Sequence, residues 1–428
     1  MELLLIVLTG LLILLGLPIG YALIAGSILV IATTGTPLTV VPLRLFNGTD
    51  SFPMVAVPLF ILAGALMNEA GLSKRLVDFA ASLVGFVRGG LAMTTTLSSM
   101  FFSEVSGSAV ADAAALGSVL IPAMKERGYP ARFAAAVLSS SATIAIIIPP
   151  SIPMILFGAI TGASIVKLFI AGIVPGVLSG IAIMLTSYVL ARREGFADSE
   201  PFEWRRVGES GKRAVLALSL PVVILGGIFA GIFTATEAAA VAVVLALGLG
   251  LFAYREIGPR ALPPILVESA RQTAVVMILV AGSAVLGWYL ANQQVPERLA
   301  RFVLQRVEGE VLPLLVIDGI LLAAGMILHS AAAIVLLVPV LLPLTTELGL
   351  DPIHFGLMVT VSLAIGQQTP PVASVLITTC SIAKVPMWEV MRVNVYFIFA
   401  LFVVLLLVTF FPALSLWLPA LLTGEASG

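Results

Sequence analysis

Charge is scarce in this chain. Asp, Glu, Lys and Arg together supply 11% of its 428 residues, against roughly a quarter in an ordinary soluble domain. Cysteine is almost absent, and the single Cys380 excludes a disulfide framework. Two histidines, His329 and His354, are too few for a His-rich metal centre. A net charge of −1 gives no basic field to hold nucleic acid. What is abundant is hydrophobic: 60% of residues, with a mean hydropathy of +1.15. These deficits exclude a soluble enzyme, a nucleic-acid binder and a disordered chain.

The few charges are unevenly spread. No Asp, Glu, Lys or Arg falls in 3–43, 133–166, 168–191, 214–236, 238–254, 272–296, 319–346, 352–383 or 393–424. A crossing helix needs about 20 apolar residues, so most of these windows hold one crossing, and 3–43 has room for two. Only helices and closed barrels survive in hydrocarbon, and the runs are too long and too uniformly apolar for barrel strands. The expected fold is therefore an all-α polytopic membrane protein of about ten crossings, with both termini outside and Glu425 at the outer end. Met1-Glu2-Leu3 lacks the basic flank of a cleaved signal peptide, so 3–17 reads as a retained span. The longest polar stretch, 192–213, mixes Arg192, Arg193, Arg205, Arg206, Lys212 and Arg213 with Glu194, Asp198, Glu200, Glu203 and Glu209. Its basic residues mark it as a cytoplasmic linker between 1–191 and 214–428.

Those two halves echo each other. Pro149-Pro150 and Pro370-Pro371 lie 221 residues apart, as do Leu120-Ile121-Pro122 and Leu341-Leu342-Pro343. Lys125, Arg127 and Arg132 follow the first of these last motifs, whereas Glu347 and Asp351 follow the second. The positive-inside rule then puts matching pieces on opposite sides, which defines an inverted repeat.

Two segments cannot be plain helices. Each proline of a pair removes a donor and clashes with the preceding turn, so broken helices are expected at about 133–164 and about 353–383. Unpaired carbonyls in lipid cost several kcal/mol each and must face protein, water or a cation. Opposite each break stands a segment too polar to cross simply: Phe102 to Ser108, and Gly325 to Ser330. These read as re-entrant hairpins at about 98–124 and about 319–346, each preceded by an interfacial helix (72–88 and 296–309). Paired broken helices in inverted repeats point to a secondary transporter. Freed carbonyls and serine hydroxyls suit a small alkali cation, and half-helix N-termini suit an anionic group. Glu104, Asp112, Glu237 and Asp318 interrupt apolar stretches, where a charge costs from about 2.5 kcal/mol upward. Glu237 reads as a helix cap or a member of an internal ion pair, and Asp318 as a shallow residue.

Ile148-Pro149-Pro150-Ser151-Ile152-Pro153-Met154-Ile155, continuing through Gly158, Thr161 and Ser164-Ile165 to Leu168-Phe169-Ile170-Ala171-Gly172-Ile173-Val174-Pro175-Gly176, resembles the large membrane subunit of tripartite ATP-independent periplasmic (TRAP) transporters. So do Ser106-Gly107-Ser108-Ala109, the stretch from Gly231 to Ala238, and Asp351 to Gly356. The resemblance covers nearly the whole chain. It implies an elevator-type transporter of the wider ion transporter superfamily, multi-pass in the bacterial inner membrane and surrounded by membrane lipid. Sodium would drive uptake of a small organic acid delivered by a periplasmic substrate-binding protein, and a small membrane subunit would brace the scaffold. One sodium would sit among Ser103, Ser106 and the carbonyls of Ala145, Ile148 and Pro150. A second would sit among Gly325, Ser330, Gly366, Thr369 and Val372, with the substrate near Ser108, Ser151, His329, Gln367 and Gln368. The sequence departs from the family at His329, where aspartate is frequent, and at Gln367-Gln368. A neutral histidine hydrogen-bonded inside the hairpin is expected at His329, although proton coupling in this half stays open.

Two other readings stand beside this one. A standalone cation-coupled carboxylate symporter or antiporter of the same superfamily would have the same core. An intramembrane hydrolase using Ser330 with His329 is disfavoured, because adjacent helical residues point about 100° apart and no Gly-x-Ser-x-Gly elbow is present.

Overall fold

The absence of water from a bilayer core forces each backbone to satisfy itself, and the computed structural model is helical throughout. It describes residues 2–195, 201–306, 309 and 311–424, with twenty α-helices and no strand among them. Asp198 and Glu200 of the linker, and Glu425, lie outside the described residues. Seven of the described helices are long and apolar enough to cross a membrane.

The repeat is visible in the order of elements. Helices Leu72–Val84, Gly90–Ser106, Ala109–Glu126, Ala131–Ala142, Ile152–Thr161 and Ile165–Glu194 are answered by Val295–Arg306, Val311–Ile327, Ser330–Glu347, Pro352–Gly366, Ser374–Ala383 and Met387–Phe410. The last pair begins at Ile165 and Met387, 222 residues apart. In each half the second and third helices form a hairpin, the next two form a broken helix, and the sixth packs beside them. The two halves interlock: Ser374–Ala383 packs on Ala109–Glu126, and Ser330–Glu347 packs on Ile152–Thr161.

Four sequence expectations are corrected. The hairpin arms are longer than 98–124 and 319–346, starting at Gly90 and Val311. Their hydroxyls do not prevent helix, because Thr95 and Thr96 donate back to the carbonyls of Leu91 and Ala92 at 2.8 and 3.2 Å. The window 3–43 does not hold two full crossings. It forms helices Glu2–Leu14 and Ile19–Thr33, 13 and 15 residues long, parted by Pro18 and the left-handed Gly16 at φ 90°. The linker is shorter than 192–213, since Arg192 and Arg193 sit in the last turn of Ile165–Glu194 and a new helix starts at Trp204. Asp318 is not shallow: it is buried mid-arm. Glu237 does cap a helix, closing a reciprocal box with Thr234.

Candidate cation and substrate site

The first hairpin turns at Gly107, whose φ of 60° suits a residue without Cβ. Two residues on, Ala109–Glu126 begins, with Asp112 in its first turn. Asp112 is fully buried, and both hairpin serines donate to it: Ser106 to Oδ1, and Ser103 to Oδ2 at 3.4 Å. No cationic side chain pairs with it among the described residues. A sealed carboxylate without a positive partner is costly, and the cost falls when a cation or proton arrives.

The first break meets this tip. A Cβ on Gly107 would stand 2.7 Å from the Pro150 carbonyl oxygen. The carbonyls of Ile148 and Pro150 accept no hydrogen bond from the described residues. Ala145 lies one turn earlier, in the tight turn Thr143–Ile146. Ser103, Ser106, Asp112 and the Pro150 carbonyl thus supply hard oxygen donors around one tip, a set suited to an alkali cation. No group of three or more His, Cys, Asp or Glu gathers among the described residues, so nothing there resembles a transition-metal centre. Ser151 is tied into the break itself. Its hydroxyl donates to the Ile146 carbonyl at 2.8 Å and accepts from the Met154 amide at 3.4 Å, which caps Ile152–Thr161. Ser108 is half-buried, and its amide donates to Ser106 Oγ at 3.2 Å.

The second half is closed by backbone. The amides of Val372 and Ala373 both donate to the Met326 carbonyl at 3.1 Å. Gly325 and Gly366 touch: a Cβ on Gly366 would stand 2.5 Å from the Gly325 Cα. Thr369 donates to the Ile365 carbonyl at 2.7 Å, leaving its oxygen lone pairs to accept or ligate. Ser330 is buried at the start of Ser330–Glu347. Of the five residues named for a second cation, Gly325, Gly366 and Val372 lie at this contact, with glycines where the two segments meet.

His329 is not inside the hairpin. It is exposed at the tip, and its Nδ1 accepts from the Ala331 amide at 3.4 Å as a helix cap. Gln367 and Gln368 are wholly buried, away from any open surface. Gln368 is a brace between repeats. Its Oε1 accepts from Ser140 at 2.6 Å, its carbonyl accepts from Asn394 Nδ2 at 2.9 Å, and Ser140 Oγ also lies 3.1 Å from Asn394 Oδ1. The Nε2 atoms of both glutamines lack a partner. Two contributors were not singled out from sequence. Asp112 had been marked only as a charge in an apolar run, and Asn394 carried no signal, being one polar residue in a long apolar helix.

The match to known proteins follows this geometry. Residues 5–414 match the model of the tripartite ATP-independent periplasmic transporter, DctM component. The chain belongs to that family. Among its relatives is the sialic acid TRAP transporter large permease protein of Vibrio cholerae, 38% identical over 96% of each chain. Another is the C4-dicarboxylate TRAP transporter large permease protein of Pseudomonas aeruginosa, 37% identical over 92% of this chain and 93% of that one. The solved structure of the YdaH transporter of Alcanivorax borkumensis matches with a TM-score of 0.59 over 89% of this chain and 88% of that one. At 15% identity that likeness speaks to the fold alone. As a DctM-family permease the chain is a multi-pass membrane transporter and not an enzyme. Relatives named for two different acids stand at nearly equal identity, so overall similarity does not choose a substrate.

Proposed function

We propose that this chain is the large permease of a TRAP transporter in the bacterial inner membrane, importing a small organic acid by sodium symport. A periplasmic binding protein delivers the acid, and a small membrane subunit braces the scaffold. The observation that carries this reading is the docking of each hairpin tip on a proline-broken helix, Gly107 on Pro150 and Met326 on Val372. Each contact gathers oxygen donors at a point where ordinary helices would leave none. The two hairpins and two broken helices pack on each other across the repeat, as a body able to slide as one would. That packing supports an elevator movement against the remaining helices.

The substrate class is an anion. The breaks are followed by the helices Ile152–Thr161 and Ser374–Ala383, whose amide ends favour negative charge. Sodium at the first site would neutralise Asp112 and fix the Ser106–Gly107–Ser108 turn against Pro150. The test is uptake into proteoliposomes holding the chain, its small subunit and a binding protein, screening acids singly under a sodium gradient. Accumulation that collapses without the gradient supports the reading. Uptake by the chain alone, with no other subunit, would instead identify a standalone symporter.

A further inference from the structure

Outside both candidate cation sites lies a second buried carboxylate with no role in the reading above. Asp318 sits mid-way along the arm Val311–Ile327 and is 2% exposed. Thr409 Oγ1 donates to its Oδ2 at 2.8 Å, and Ser362 Oγ faces Oδ1 at 3.5 Å. These come from two other elements, the long helix Met387–Phe410 and the broken helix Pro352–Gly366. No cationic side chain pairs with Asp318 among the described residues.

The repeat argues that packing alone does not require this acid. In the first half, Ser141 is the counterpart of Ser362, and it faces the Thr96 hydroxyl at 3.0 Å. A neutral hydroxyl pair closes the same junction there. In the second half a carboxyl reaches that junction from Asp318, one residue past the position equivalent to Thr96, at a cost that neutralisation removes. Two hydroxyls and one carboxylate also fall short of the six or so oxygens that a hard cation takes, and the Thr409 hydroxyl already closes on Asp318.

His354, on the packed helix Pro352–Gly366, is 1% exposed, its Nδ1 lies 3.4 Å from Ser415 Oγ, and its Nε2 has no hydrogen-bond partner among the described residues. Asp351 caps the same helix through the amides of Ile353 and His354 and is exposed. Other titratable groups on the packed elements are remote. Glu389, Arg392 and Tyr396 lie at least 13 residues before Thr409, about 20 Å along the helix, and Glu347 is exposed at the far end of Ser330–Glu347. Ala413–Thr423 carries none.

We propose that Asp318 is a proton-binding site of the second half, separate from both cation sites. The O–H bond of the carboxyl forms as a proton arrives from the aqueous phase and breaks as the proton returns to it. Transport then has a proton-linked step as well as any sodium step.

The test needs no substrate. The full-length chain in lipid nanodiscs, with aspartate carrying carbon-13 at the carboxyl, is followed by infrared spectroscopy as pH is varied. The expected result is a protonated aspartate carbonyl band that fades as pH rises and is missing from Asp318→Asn. A labelled wild-type spectrum whose acid band never changes with pH overturns the proposal, as it reports a permanently neutral structural group. A titrating band equal in wild type and Asp318→Asn overturns it too. Should Asp318→Asn fail to fold, the same loss of the band is read in Asp318→Thr, whose hydroxyl restores the kind of pair that closes the junction in the first half.

Discussion

Ser106 donates its hydroxyl to the carboxylate of Asp112 across the tip of the first hairpin, six residues further along the chain. One serine and one carboxylate thus define the charge of the first candidate cation site. Replacing Asp112 with Asn keeps the shape and the acceptor but removes the charge. Asp112→Asn should weaken sodium activation of uptake at least about tenfold, or ~1.4 kcal/mol, while expression holds. Ser106→Ala, which keeps the carboxylate, should lose several-fold less. Equal sodium activation curves for both variants and wild type would remove sodium from this tip.

Gly325 and Gly366 bring two backbones together where the second hairpin meets its break. A methyl group on Gly366 would press into the Gly325 Cα at 2.5 Å, with backbone on both sides unable to yield. Gly366→Ala should therefore destabilise by roughly 1–3 kcal/mol through overpacking, read as a lower thermal unfolding midpoint. Gly128 is a control of another kind. Its φ is 84° and nothing lies within 4 Å of an added Cβ, so Gly128→Ala should cost only the backbone strain of about 1–2 kcal/mol. Both variants destabilise, but only Gly366→Ala should also reduce transport at a temperature where each is folded.

The arm helix Leu72–Val84 is held to the scaffold by one arginine. Arg75 pairs with Glu256 at 2.6 Å, donates to the Gly71 carbonyl at 2.8 Å and stacks 3.8 Å from the Tyr254 ring centroid. Arg75→Lys keeps the charge and loses the fork and the stacking plane. It should cost about 0.5–1 kcal/mol, the size of a cation–π contact at a part-exposed site. Arg75→Ala should cost no more than about twice that, because the ion pair is itself partly solvated. Thermal unfolding in low and high salt separates the two, since only the ion-pair share is screened.

Much of this molecule was legible from spacing. Charge-free windows located six of the seven candidate spans and missed Phe52–Glu69, and the proline pairs located both breaks, because a missing donor and a ring clash leave few alternatives. Loop charge gave the inverted relation of the halves. Three things were hidden. The first hairpin reads as starting at about 98, yet Thr95 and Thr96 return their hydroxyls to their own helix, and the arm runs from Gly90. Gln367 and Gln368 read as substrate contacts, but polarity at a break does not reveal which way a side chain turns, and both are sealed inside. Asp318 read as shallow because it borders a charge-free run, and only the packing of Met387–Phe410 against the second broken helix buries it.

The brace at Gln368 tests whether the two broken helices move together. Ser140 lies on the first, Gln368 at the end of the second, and Asn394 joins both from Met387–Phe410. Removing one member leaves buried polar atoms without partners, which costs about 1–3 kcal/mol. Ser140→Ala and Asn394→Ala should each fall in that range by thermal or denaturant unfolding. Because the two residues share Gln368 and contact each other, the double variant should lose less than the summed single losses, by roughly 0.5 kcal/mol or more. Strict additivity would mean that Ser140 and Asn394 act independently, and the picture of the broken helices as one polar-linked body would fail with it.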